Sequence, residues 1–150
     1  MNKENVEKLL NKYPKIFRQK DLSPQETSMC WLFECSDGWY WLIDQLCDCI
    51  QNYIDSNKKV CQVEATQVKE KYGTLSFYTY GGDELTDGMI WMAEHMSASI
   101  CETCGSTEDV SQTKEWIMTR CKKCLYKEEV ISDKHVNTLY NVIFDNIKEI

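Results

Sequence analysis

The sequence predicts an α+β protein in which helices pack a small antiparallel β-sheet, with a cysteine-rich lobe attached. Three observations predict it. Two stretches carry apolar residues at helical spacing, one before and one after the middle of the chain. Between them, two β-prone runs are separated by a short Gly-containing segment, the pattern of a hairpin. Beyond the second helix come two C-x-x-C pairs, Cys101-Glu-Thr-Cys104 and Cys121-Lys-Lys-Cys124, with sixteen residues between them. The organisation expected is a core over 1–100, a cysteine lobe over 101–130 and a C-terminal helix over 131–150 that packs on the core.

Taken in order, residues 3–13 read as a helix with Val6, Leu9, Leu10 and Tyr13 on one stripe. Pro14 should end it, because the residue before a proline disfavours helical geometry. Ile16 and Phe17 form an apolar patch expected to dock on the core. Asp21-Leu-Ser-Pro-Gln is turn chemistry, and Met29 to Phe33 reads as a short strand. Asp37 is placed to cap the helix that follows, over 39–55. Its buried stripe is Trp39, Leu42, Ile43, Leu46, Ile50 and Tyr53.

Val60 to Val68 and Thr74 to Tyr80 read as the two strands of the hairpin, joined by a loop of about five residues with Gly73 in the awkward conformation. Leu75, Phe77 and Thr79 should face one way, Ser76, Tyr78 and Tyr80 the other. A helix over 86–100 follows, with Met89, Met92, Ala93, Met96 and Ile100 expected on its buried stripe and Leu85 at its entrance. It leads directly into the first cysteine pair. Glu115 to Thr119 is the strand expected between the pairs. A last helix from about Ser132 carries Val136, Leu139, Tyr140, Ile143 and Ile147 on one face.

The cysteine pairs are a metal-site pattern. Two residues between cysteines let a tight turn aim both sulfurs at one ion, and two such turns supply the four thiolates that tetrahedral Zn²⁺ takes. Gly105 follows the first pair, where the turn favours a residue tolerant of positive φ. Cys101, Cys104, Cys121 and Cys124 are therefore the expected ligands of a structural zinc ribbon. Iron also accepts four thiolates, although iron–sulfur spacings are usually tighter. Disulfides need an oxidising compartment, and the Met-Asn-Lys-Glu-Asn start lacks the build of a secretory signal. The expectation is a reducing cytoplasm, with Cys30, Cys35, Cys47, Cys49 and Cys61 as free thiols.

The net charge of −7 opposes a phosphate backbone at long range and argues against nucleic acid as a partner. No run approaches a membrane span. Arg120, Lys122, Lys123 and Lys127 make a basic cluster near the metal, but Glu102, Glu108, Asp109, Glu115, Glu128 and Glu129 offset it. Of the two histidines, His95 and His135, neither lies in an H-E-x-x-H or H-x-E setting. No Walker loop, G-x-G-x-x-G or G-x-S-x-G is present, so no catalytic residue is assigned and a non-enzyme is expected. Two features point to binding. Lys69, Lys71, Tyr72 and Gly73 crowd the hairpin end beside Tyr78 and Tyr80, a mix of cations and aromatic faces that suits a nucleotide-like anion. Tyr40 and Trp41 point away from the core stripe of their helix, which suits a protein interface.

The landmarks Tyr13-Pro-Lys-Ile-Phe17, Glu34-Cys-Ser-Asp-Gly-Trp39, Leu42-Ile-Asp44, Gln67-Val-Lys-Glu-Lys-Tyr-Gly73 with Leu75 and Phe77-Tyr78, and Ala93-Glu94 ahead of the cysteine pairs form a series. In this series the chain resembles a group of small, poorly characterised proteins carried by bacteriophages and prophages. The resemblance covers most of the chain up to Cys124. It implies a phage-linked accessory protein in the cytoplasm of the bacterial host, of a sort that often acts on host defence or regulation. It carries no catalytic residue set. The partner it implies is a host protein or a small anionic signal. The alternative reading is a nucleic-acid-associated zinc-ribbon regulator, and a third is an enzyme of unrecognised mechanism.

Overall fold

The computed structural model describes residues 1–114 and 116–127. Glu115, the C-terminal helix expected over 131–150 from about Ser132, and His135 lie outside the described residues. The fold is α+β, with a small sheet packed by helices. Its elements are α1 (Lys3–Lys12), β1 (Phe33–Glu34), α2 (Tyr40–Ser56), β2 (Cys61–Lys71), β3 (Thr74–Gly82), α3 (Glu84–Ser97), β4 (Val110–Gln112) and β5 (Thr119–Cys121). Short 3-10 segments cover Arg18–Asp21, Met29–Trp31 and Asp37–Trp39.

Asn2 starts α1, its side chain accepting from the Asn5 amide at 2.9 Å. The helix ends at Tyr13, one residue before Pro14. Ile16 and Phe17 are fully buried, and the Ile16 carbonyl accepts from the Ala65 amide at 2.8 Å. The strand expected at Met29 to Phe33 is a 3-10 turn instead. Leu32 adopts φ 60, which breaks an extended run, and only Phe33–Glu34 reaches the sheet. That short strand runs parallel to β2, so the sheet is mixed rather than wholly antiparallel.

The β2–β3 hairpin is longer and its turn tighter than expected. The strands run to Lys71 and from Thr74, leaving Tyr72 (φ 52) and Gly73 (φ 78) as a two-residue turn. Positive φ at both positions is the geometry that matches the twist of the flanking strands. A bulge between Ala65 and Gln67 shifts which side faces inward, so Val63, Ala65 and Val68 are all buried. Leu75 and Phe77 are buried while Tyr78 and Tyr80 are exposed.

Helices α2 and α3 pack on this hairpin and on each other. Asp37 does not cap α2. Its carboxylate instead accepts from the Asn2 amide at 2.8 Å and the Asn5 side chain at 3.0 Å, holding the start of α1. These contacts, the Asn2 amide first, keep its carboxyl below the ordinary range. On α2 the buried face is Leu42, Ile43, Leu46, Cys47, Ile50 and Ile54, with Tyr53 only half-buried. On α3 the buried face is Thr86, Ile90, Ala93 and Ser97. Ala93 and Ile100 are buried as expected and Met89 packs against the core, but Met92 and Met96 are exposed, so that edge of the expected stripe is rotated outward. The two buried hydroxyls explain the rotation. Ser97 Oγ accepts from the Leu75 amide at 2.8 Å, and Thr86 Oγ1 accepts from the Asp83 amide at 2.8 Å, so each satisfies a backbone donor.

Candidate metal centre and surrounding surfaces

Helix α3 ends at Ser97, and Ile100 enters the core just before the first cysteine pair. Trp39, fully buried, donates from its indole nitrogen to the Ile100 carbonyl at 2.9 Å. The first pair forms a closed turn. The Gly105 amide donates to the Cys101 carbonyl and the Cys101 amide to the Ser106 carbonyl, both at 2.8 Å. Gly105 takes φ 76, as its place after the knuckle requires. The second pair is carried by β5, which ends at Cys121, and by helical residues 122–127.

The four sulfurs Cys101, Cys104, Cys121 and Cys124 all lie within 4.8 Å of one another. All four are free thiols, and the Cys104 and Cys121 sulfurs stand 3.6 Å apart. That separation is far beyond a sulfur–sulfur bond of about 2.05 Å. It is close to the roughly 3.8 Å edge of a tetrahedron with metal–sulfur bonds of about 2.3 Å. The donor set therefore fits a tetrahedral, thiolate-binding metal. Burial pushes the Cys101 thiol up, but the backbone N–H groups of Cys121, Cys104 and Thr103 outweigh it and bring it to about 7. Burial, followed by the neighbouring sulfurs of Cys104, Cys121 and Cys101, pushes Cys124 up to about 12. One thiolate is easy to form here and four together need a cation.

The cysteine lobe is docked on the core through Glu102. Its carbonyl accepts from Gly38 at 2.7 Å, and its amide donates to Thr119 at 3.0 Å. Its carboxylate accepts from the Ser36 amide at 2.9 Å and pairs with Arg120 at 2.8 Å, with both side chains buried. Glu102 and Arg120, which the sequence reading placed among offsetting surface charges, are thus an internal pair. Nothing in their spacing marks them. Lys122 and Lys123 remain exposed.

The residues expected to bind a ligand are divided between two surfaces. Lys69 lies over the Tyr78 ring at 5.7 Å and Lys71 over the Tyr72 ring at 5.9 Å. Gly73 is buried, its amide donating to Glu70 at 2.6 Å and its carbonyl accepting from the Thr119 hydroxyl. The turn glycine therefore has no backbone donor left for an anion. Trp41 lines a different surface, an apolar groove of about 200 Å³ between α2 and α3, with Leu46, Met89, Met92 and Met96 among its walls. His95 stacks on Trp91 with ring centroids 5.6 Å apart and is not part of the sulfur cluster. No helix among the described residues is long and apolar enough to cross a membrane.

No protein-family model matches this chain, and comparison with curated proteins and with solved structures gives no match either.

Proposed function

We propose that this chain is a non-enzymatic binding protein whose ribbon is held by a structural Zn²⁺. The observation that carries the reading is the closed set of four thiols, each from a turn or element end, within 4.8 Å of one another. Four protein thiolates fill a tetrahedral shell and leave no position for substrate, so the metal's work is to fold the lobe. The identity of the ion as zinc is supported by the ribbon spacing and the all-sulfur set.

The binding role is supported by the α2–α3 groove, where Trp41, Met92 and Met96 stay exposed beside buried Leu42 and Ala93. Flexible thioether side chains around an aromatic suit the apolar side chains of a protein partner. The resemblance to phage-borne accessory proteins supports a host component as that partner, whose activity the protein blocks or redirects. Two measurements test this. Elemental analysis of the purified protein should give one zinc per chain; a metal-free folded protein ends the reading. Affinity capture from bacterial lysate should retain a partner that Met92→Lys and Trp41→Ala both lose. A partner held equally by all three forms would exclude the groove.

A further inference from the structure

A second surface is formed where the β2–β3 turn meets the cysteine lobe. Glu70, Lys71, Tyr72, Trp116 and Ile117 line a cleft of about 420 Å³, within the range of small-molecule sites. Tyr72 is 75% and Trp116 76% exposed, so both rings have a face open for stacking. They are far apart in sequence and are brought together by specific contacts. The Thr119 hydroxyl donates to the Gly73 carbonyl. Gln112 Nε2 and Ile117 Cγ2 sit 2.9 Å from where a Cβ on Gly73 would be, so side chains of the cysteine lobe lie directly against the turn. The loop bearing Trp116 is closed by the Thr113 amide on the Met118 carbonyl at 3.0 Å and the Met118 amide on Thr113 Oγ1 at 2.9 Å. Both walls are thus held on braced turns.

The polar groups select the ligand. Glu70 is anchored by the Gly73 amide through one oxygen, and the carboxylate's second oxygen remains an acceptor for an amino group. Aromatic walls with a carboxylate would also suit an organic cation, but Lys71 stands in the same cleft and repels one. A planar ring that carries an amino group at one end and an anionic group at the other satisfies all three. We propose that this cleft binds a purine mononucleotide, its base between Tyr72 and Trp116, its exocyclic amino group toward Glu70 and its phosphate toward Lys71. A free nucleotide is favoured over a strand because the net charge of −7 opposes a run of successive phosphates more than a single one. This site rests on the binding-protein reading above and adds a ligand class to it.

The test is a titration of the zinc-loaded protein with AMP, GMP, UMP and adenosine, followed by tryptophan fluorescence and calorimetry. AMP or GMP should bind saturably, and UMP, whose base has no exocyclic amino group, should bind about tenfold more weakly or worse. Tyr72→Ala and Trp116→Ala should each weaken binding about tenfold, as loss of a base-stacking partner does. Lys71→Gln should weaken AMP and leave adenosine unchanged. Absence of saturable binding by the folded, zinc-loaded protein overturns the proposal, as does UMP binding as tightly as AMP, or binding of a single-stranded oligonucleotide but of no mononucleotide. A protein that holds zinc and captures a partner through the α2–α3 groove but ignores nucleotides sinks this site alone. A protein that binds AMP but holds no zinc sinks the structural-metal reading instead.

Discussion

Glu102 and Arg120 form an ion pair at 2.8 Å, and each side chain retains a tenth or less of its exposure. Glu102 lies inside the first C-x-x-C turn and Arg120 immediately precedes the second. The pair therefore links the two knuckles to each other, while the second carboxylate oxygen, on the Ser36 amide, links them to the core. Removing one partner takes away the closest opposite charge from a buried ion, which costs about 3–5 kcal/mol. Glu102→Ala and Arg120→Ala should each lower stability by about that amount in urea unfolding of the metal-loaded protein. The double variant Glu102→Ala with Arg120→Ala should lose less than the two single losses combined. Strict additivity would mean that the pair does not act as a unit.

Gly38 and Gly88 make a matched contrast. A Cβ on Gly38 would stand 2.1 Å from the Cys101 carbonyl oxygen and 2.5 Å from the Gly105 nitrogen, both backbone atoms that cannot turn aside. Gly38→Ala should therefore push the first knuckle off the core and destabilise the protein by at least about 1–3 kcal/mol, as overpacking does. Gly88 lies within α3, and a Cβ there meets nothing within 4 Å. Gly88→Ala removes unfolded-chain freedom from a helical position and should stabilise by about 0.5–1 kcal/mol. Thermal unfolding of both variants checks the pair. Equal effects would show that the glycines are interchangeable and the knuckle contact unimportant.

Asp83 predicts the acid limb of the stability profile. It accepts from the Tyr53 hydroxyl at 2.7 Å and caps α3 by accepting from the Leu85 and Thr86 amides, each at 3.1 Å. The Tyr53 hydroxyl first, and then the Thr86 amide, hold its carboxyl below the ordinary 3.8. A group whose folded-state pKa is depressed adds stability above the unfolded value and loses it as pH falls through the folded value. Asp83→Asn keeps a capping oxygen without the charge. The midpoint difference between wild type and Asp83→Asn should be steady near neutrality, begin to shrink as pH approaches the ordinary 3.8 and vanish as pH falls through the lower folded-state value. A difference that persists unchanged at the lowest pH would remove the charge from the account.

Much of the architecture can be read from residue pattern, and the departures have physical causes. Pro14 stops α1, the apolar spacing of Leu42, Ile43, Leu46 and Ile50 marks α2, and the paired cysteines mark the candidate metal centre. The tight turn at Tyr72-Gly73 was hidden because tyrosine is not a residue that advertises positive φ. The face of α3 was misjudged because hydrophobicity favours Met92 and Met96 over Thr86 and Ser97. The hydroxyls are buried through backbone hydrogen bonds that a periodicity argument does not weigh. Trp116 and Ile117 were read as part of a strand from Glu115 to Thr119, but the strand begins only at Thr119, and their approach to Tyr72 depends on tertiary docking through Thr119 and Gly73.

Metal removal should separate the two lobes. Among the described residues, the buried apolar side chains fall into two clusters, one spanning Val6 to Ile100 and the other made of Cys101, Cys121 and Cys124 with Val110 packed against them. The second cluster has almost no hydrocarbon of its own, so its cohesion depends on what binds the sulfurs. The first draws on α1, α2, α3 and the hairpin and includes Trp39, Phe17 and Phe77. Stripping zinc with a chelator, or substituting Cys124→Ser, should raise amide exchange across 101–127 while amides of α2, β2 and β3 stay protected. One local exception is expected at the hairpin tip. Gly73 loses its Thr119 contact when the lobe opens, so protection there should fall with the lobe rather than stay with the strands. Uniform loss of protection from α2 to the second knuckle would show one cooperative unit and rule out a core that stands without its metal.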